Sequence, residues 1–311
     1  MTMRAQIVEK SVLGLVLVGA LLLMAASDSP SRTGDEPLHL AVSDKVVYGV
    51  NLNDASAAVE VWSEELLKHI DVKMTVASNQ EWVMPSSQLL EAIRNGKVDL
   101  FCVTVQEYRR VAQYVDTSRI ITNDYGGEEF LLVVREGSGI ADLAGLRGRS
   151  LIIWDSPSTS LAEPWLTVEL WKQGLESPKQ LMGRMTRSTK LSQVILPLFF
   201  GQADACVATR RGLNTMVELN PQLSQKLKVL RTSPTMIGTL FACRKDYPVS
   251  FKNNIFDRLL QLRSSPPAKQ IALLFQSPGF TVRNGDCLTP ATTLLDAYER
   301  HRESETSRKR Q

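Results

Sequence analysis

Leu151 to Leu175 reads LIIWDSPSTSLAEPWLTVELWKQGL. The apolar run Leu151 to Trp154 is the length of a buried strand. A turn of Asp, Ser, Pro and Thr follows, and then a helix is expected over Ser158 to Gln173, ending at Gly174. Strand, polar turn and helix make one unit of an α/β sheet. The turn admits two readings. Ser158, Thr159 and Ser160 would set three hydroxyls among the free N–H groups of a helix start, at the positive end of its dipole, which suits an anion. Alternatively, Ser160 is simply the N-cap, with Glu163 completing a capping box.

Outward from this stretch, strand and helix patterns alternate. On the N-terminal side, strands are expected at Leu38–Ser43, Val72–Ala77, Val98–Val103 and Glu128–Arg135. Between them fall helices at Ala55–Ile70, Pro85–Asn95 and Thr104–Tyr114. Val59, Trp62, Leu66 and Leu67 share one face of the first helix, and Thr104 with Glu107 forms a capping box for the third. On the C-terminal side, strands are expected at Ala203–Ala208, Leu227–Leu230 and Gly238–Cys243. Helices are expected at Ser192–Phe200 and Thr209–Leu219, then near Ser250–Leu262, Ala268–Phe275 and Pro290–His301. This alternation implies largely parallel sheets flanked by helices, in two units of similar plan. In such sheets ligands sit beyond the carboxyl ends of strands. Three strand-to-helix junctions are small and polar: Val103-Thr104, Asp155 to Ser160, and Ala208 to Arg211.

The chain has 311 residues, 43% hydrophobic and 22% charged, with a formal net charge of +3. That is ordinary for a globular protein. The one basic cluster, Arg308 to Arg310, is a solvated end rather than a nucleic-acid surface. Arg4 and Lys10 precede an apolar run from Ser11 to Ala26, the pattern of a secretory signal. Residues 1–27 are therefore expected to be a signal peptide, or an uncleaved anchor, and 28–37 a linker. The rest would lie in the periplasm, touching the membrane only if the N-terminus stays attached. The four cysteines (102, 206, 243 and 287) have no metal-knuckle spacing. Cys102 and Cys206 end apolar strands and are expected to be buried thiols. The three histidines are scattered. No metal, cofactor or catalytic group is implied, and neither G-x-S-x-G nor H-E-x-x-H occurs.

The segment DLAGLRGRSLIIWDSPSTSLAEPWLTVELWKQGL resembles the second-lobe entry of the phosphate/phosphonate-type periplasmic binding proteins. That entry consists of a "dLkGk" phrase, an apolar strand, a Ser-Thr-Ser turn, a Pro about five residues on, and a helix ending in Gly-Leu. The matching residues are Leu143, Gly145, Gly148, Ser158 to Ser160, Pro164, Gly174 and Leu175. AIRNGKVDLFCVTVQEYRRV (Ala92–Val111), GQADACVA (Gly201–Ala208) and LKVLRTSP (Leu227–Pro234) are similar to further segments of that family, in order. Together they cover about residues 38 to 282. The resemblance implies a two-lobed α/β fold of type II, each lobe a mixed, mostly parallel sheet, with the ligand cleft between lobes. Lobe 1 would comprise 38–126 and 240–290, lobe 2 would comprise 127–239, and 291–311 would form a C-terminal helix and tail. The Ser158-Thr159-Ser160 turn would bind an oxyanion. Thr104, Gln106, Tyr108 and Tyr48 are candidate ligand contacts from the other lobe, the two tyrosines having packing as their alternative role. Leu161 replaces the family's Gly after the turn, and Thr104-Val105-Gln106 replaces its Gly-Pro loop. Where phosphonate binders carry a carboxylate for the ligand's amine, this chain has Thr209, Arg210 and Arg211. If Arg210 faced the cleft it would favour a second anionic group over an amine; otherwise both arginines lie on a solvated helix face. Trp154, Trp165 and Trp171 are expected in the core of lobe 2. The expected function is capture of a small oxyanion (phosphate, phosphonate or related) for an ABC importer. The alternative is a periplasmic sensor signalling to a membrane kinase or cyclase. Partners would be that ligand and a permease or membrane sensor protein, without nucleic acid.

Overall fold

In the computed structural model, the described residues are 38–47, 51–69, 82–266, 268–269, 272 and 279–308. The expected signal segment, the linker, Tyr48, the strand Val72–Ala77 and most of the helix Ala268–Phe275 lie outside them. Among the described residues no helix is long and apolar enough to cross a membrane.

Two mixed sheets organise the chain. The first has six strands in the order β11-β4-β10-β3-β1-β2. These are β1 (Leu40–Ser43), β2 (Val83–Met84), β3 (Leu100–Thr104), β4 (Val115–Asn123), β10 (Thr239–Arg244) and β11 (Phe280–Arg283). The second has the order β7-β6-β8-β5-β9, with β5 (Phe130–Arg135), β6 (Ser150–Trp154), β7 (Arg184–Ser188), β8 (Ala205–Thr209) and β9 (Leu227–Thr232). Helices α1 (Leu52–His69), α2 (Ser86–Arg94) and α3 (Val105–Val111) follow the early strands. α4 (Ala162–Lys172), α5 (Pro178–Leu181), α6 (Ser192–Phe199), α7 (Arg210–Leu219) and α8 (Gln222–Lys226) accompany the second sheet. α9 (Val249–Leu262) and α10 (Thr289–Arg308) lie towards the C-terminal end.

The central strands are apolar throughout because both their faces are covered. In β3, Phe101 and Val103 enter one core cluster, while Leu100 and Cys102 enter another on the opposite face. In β5, Phe130, Leu132 and Val134 enter the first cluster, and Leu131 and Val133 a third. This is the period-2 alternation of a strand, filled with hydrophobic residues on both sides. The first cluster runs through both sheets and takes in Trp165, which is 2% exposed. Trp171 is half-buried, stacked on Tyr298 and His301 of α10. Trp154 is also half-buried, its Nε1 donating to the Thr189 carbonyl. All four cysteines are free thiols, and Cys102, Cys206 and Cys243 are buried.

The strand pairing is less parallel than the sequence pattern implies, for a topological reason. β2-β1-β3 and β7-β6-β8 pair in parallel. The strands that arrive from the other sheet, β10 and β5, pair antiparallel with their neighbours. A chain crossing between sheets enters at the end where the parallel strands finish, so it must run away from that end. Accordingly β10 starts at Thr239 opposite Thr104, the last residue of β3. β5 likewise starts at Phe130 opposite Thr209, the last residue of β8.

The two crossing segments touch. Glu128 N donates to the Met236 carbonyl at 2.8 Å, and Met236 N to the Glu128 carbonyl at 2.9 Å. Gly127 stands beside this bridge with φ +117°, and a Cβ there would fall 2.7 Å from the Met236 oxygen. Gly127→Ala is expected to lower stability by about 1–3 kcal/mol, read as a lower urea midpoint at unchanged m-value.

The Glu128 side chain is 11% exposed and faces Arg211 at 3.1 Å, whose side chain is 34% exposed and better screened by water. Burial pushes the Glu128 carboxyl up from 4.5 to about 7. A carboxyl whose folded pKa is raised stabilises the fold in its protonated form. That contribution is complete below about 4.5 and is lost as pH rises through about 7. Glu128→Gln is therefore expected to flatten the fall in stability between pH values of about 5 and about 8, by about 3 kcal/mol at most. Urea unfolding of both proteins across that range checks it.

Candidate functional site

Where the carboxyl ends of the two parallel sets face each other there is a cavity of about 370 Å³. One wall comes from the first sheet: Lys45 in the turn after β1, and Thr104, Gln106, Glu107 and Arg110 from the β3-to-α3 junction. The other comes from the turn after β6: Asp155, Ser156, Pro157 and Ser160. A second cavity, of about 70 Å³, lies on the opposite face of the first sheet and is lined chiefly by apolar residues such as Val59, Trp62, Phe241 and Leu259. The convergent polar groups expected of a site for a small polar ligand are in the first cavity.

The first wall is held by a buried carboxylate. Thr104 caps α3 and Glu107 completes the capping box. The Thr104 hydroxyl accepts from Glu107 N at 3.2 Å. Glu107 Oε2 accepts from Thr104 N at 2.8 Å and from the Thr104 hydroxyl at 2.9 Å. Glu107 Oε1 accepts from the Ser43 hydroxyl at 2.5 Å. Every oxygen of Glu107 is thus committed to tying the end of β1 to the start of α3, a purpose the capping motif alone reveals only in part. Gln106 Nε2 reaches across and donates to the Ser160 carbonyl at 3.2 Å, joining the walls directly.

The second wall corrects the expected helix start. Pro157–Thr159 form one 3₁₀ turn, and α4 begins at Ala162 with Leu161 as N-cap and no side-chain cap bond. Ser160 is therefore not an N-cap, and Glu163 pairs with Arg187 instead of closing a box. The reason lies in Thr159. Its hydroxyl donates to the Trp154 carbonyl at 2.6 Å and accepts from Ser156 N at 3.1 Å, which winds the chain into a tighter turn before the helix can start. The Ser158 hydroxyl pairs with that of Ser156 at 2.8 Å. Of the three hydroxyls in the turn, only that of Ser160 is buried with no hydrogen-bond partner. Gly238, in the second crossing segment, has space for it: a Cβ at 238 would lie 3.3 Å from Ser160 Oγ.

The structure brings Ser160, Thr104 and Gln106 together in one cavity lining. Ser158 and Thr159 stand in the same turn with their hydroxyls directed to it. Tyr108 is half-buried and packed against the large core cluster, and burial holds its hydroxyl above the usual range. Arg210 forms an ion pair with Glu129 and is not among the residues lining the cavity. Arg211 pairs with Glu128 and lies over the Tyr125 ring. Lys45 and Arg110 line the cavity although no sequence motif marks them. The only available signal is their place in segments that follow β1 and β3. Among the described residues no group of three or more His, Cys, Asp or Glu gathers as metal ligands.

This arrangement of two sheets around a cleft has a family. Residues 48–283 match the family model described as ABC transporter, phosphonate, periplasmic substrate-binding protein, and the chain belongs to that family. Solved structures share the fold at low identity. XAC2383 from Xanthomonas citri bound to chloride ion is 14% identical, with a TM-score of 0.59 over 87% of this chain and 99% of that one. A binding protein component of an ABC phosphonate transporter from Pseudomonas aeruginosa is 16% identical, with a TM-score of 0.51 over 86% and 88%. PhnD1 from Prochlorococcus marinus in complex with methylphosphonate is 14% identical, with a TM-score of 0.52 over 84% and 97%. No curated protein matches the sequence. The family is one of substrate-binding proteins rather than enzymes, and its description places it in the periplasm.

Substitution distinguishes the unpartnered hydroxyl of the turn from one bonded within it. Ser160→Ala is expected to leave the ligand-free melting temperature unlowered, or to raise it as the unsatisfied hydroxyl is removed, and to weaken ligand binding by about 1.5–3 kcal/mol, the loss of one hydrogen bond to a charged group. Thr159→Val removes bonds within the turn and should lower unfolding free energy by about 1–2 kcal/mol. Calorimetric titration and denaturant melts on both variants distinguish the roles.

Proposed function

We propose that this protein captures a small oxyanion of the phosphate or phosphonate kind in the cavity between its two sheets and delivers it to an ABC permease. The observation that carries this reading is the Ser160 hydroxyl, buried and unpartnered in the wall of a polar cavity. Leaving a buried hydroxyl unsatisfied is costly, and an anionic oxygen of a ligand supplies the acceptor it lacks. Family membership supports the same conclusion, as does a structural neighbour solved in complex with methylphosphonate. In this reading residues 38–126 with 240–290 form one lobe and 127–239 the other, and the lobes close over the ligand about the Glu128–Met236 bridge. Ser158 and Thr159 shape the turn that presents Ser160, while Thr104 and Gln106 complete the opposite wall. Residues 1–27 direct export, by cleavage or as an inner-membrane anchor.

A ligand that binds only the native state raises the melting temperature in proportion to the logarithm of its concentration. Phosphate, methylphosphonate or a related phosphorus oxyanion is expected to do so with the purified protein, and Ser160→Ala to diminish the effect. If phosphate, phosphonates, sulfate and sulfonates all leave the melting temperature unchanged, the oxyanion reading is wrong.

A further inference from the structure

We infer that Lys45 and Arg110 are specificity-determining residues, and that the ligand carries a second anionic group besides its phosphorus oxyanion, as a phosphonocarboxylate does. This deepens the oxyanion reading above and rests on it. The inference turns on which charged groups in the cavity are already engaged. Two carboxylates belong to the lining, Glu107 and Asp155. Glu107 is 5% exposed, and its oxygens accept from Ser43 and Thr104. Asp155 faces Arg187 at 3.6 Å. Among the described lining residues, a ligand ammonium group would find Glu107 committed to the framework and Asp155 beside Arg187, a guanidinium it shares with Glu163.

The cations stand differently. Lys45 is 60% exposed at its side chain, and its ion-pair partner is the neighbouring Asp44 at 3.3 Å, an exposed contact of the kind that contributes little. The other oxygen of Asp44 accepts from Ser86 N at 3.0 Å. Arg110 is exposed, and among the described residues its guanidinium makes no ion pair. Both come from the wall opposite Ser160. A phosphorus oxyanion at Ser160 would leave these donors facing the remainder of the ligand, where a carboxylate is the matching group and a guanidinium can hold it with two parallel hydrogen bonds. Arg210, the cation that the sequence offers for this purpose, is neutralised by Glu129 outside the cavity lining.

The test is calorimetric titration of the purified protein with methylphosphonate, phosphonoacetate and 2-aminoethylphosphonate, repeated on the double variant Lys45→Gln/Arg110→Gln. Both side chains are solvent-facing, so the variant should fold, and its ligand-free melting temperature verifies this. The wild type is expected to bind phosphonoacetate about tenfold or more tighter than methylphosphonate, and 2-aminoethylphosphonate no better than methylphosphonate. The double variant should lose phosphonoacetate affinity by a larger factor than methylphosphonate affinity, so that most of the preference disappears. The charge-preserving pair Lys45→Arg/Arg110→Lys should retain the preference in part, which loss of folding in the Gln variant would not mimic. If the wild type shows no preference for phosphonoacetate, or the double variant keeps it, the inference is overturned while the cleft stands. If none of the three binds the wild type but phosphate does, this inference is overturned and the oxyanion reading stands; if phosphate, sulfate and sulfonates fail as well, both are wrong.

Discussion

Two hydrogen bonds between Glu128 and Met236 hold the crossing segments side by side, and the geometry of the cavity depends on them. The first segment delivers β5 to the second sheet and the other delivers β10 to the first, each entering beside the end of a parallel strand. Two residues past the bridge, the Gly238 carbonyl accepts from Val105 N at 2.8 Å, the first helical residue of α3. The same glycine leaves space for Ser160 Oγ. The crossing point thus meets both walls of the cavity, one through the Gly238 carbonyl and the other through the side chain that Gly238 lacks.

Around the cavity, hydroxyl groups that look equivalent in the sequence differ in what they donate to and accept from. Thr104 and Thr159 are tied into local backbone structure, the first as a helix cap and the second as the clasp of a tight turn. Ser43 donates to a buried carboxylate. Ser160 alone in its turn is left over. In a low-dielectric pocket a satisfied hydroxyl is framework, and an unsatisfied one carries a free-energy penalty that a suitable ligand removes.

Elements covered on both faces were readable from composition, since β3, β5 and β8 each present an uninterrupted apolar run. β7 (RMTRS) and β4 (VDTSRIITN) carry charges and hydroxyls because they are partly exposed, so periodicity does not separate them from loops. The helix start near Ser158 was misplaced because a Ser-Thr-Ser run satisfies the rules for an N-cap, and only the reach of Thr159 to the Trp154 carbonyl shows the tighter turn. The Thr104–Glu107 box was legible, being local, whereas the bond from Glu107 to Ser43 spans two strands and was not. Lys45 and Arg110 are commonplace surface residues in sequence. Their shared wall exists only once β1 and β3 pair in parallel.

The free thiols have a consequence of their own. Cys102, Cys206 and Cys243 sit within packed layers, and burial pushes the Cys206 thiol up to about 12. At neutral pH such a group is protonated and a poor nucleophile. With all four thiols free, the fold as described draws no stability from a disulfide. The chain can reach the same native structure in a reducing cytosol as in an oxidising compartment, without oxidative refolding.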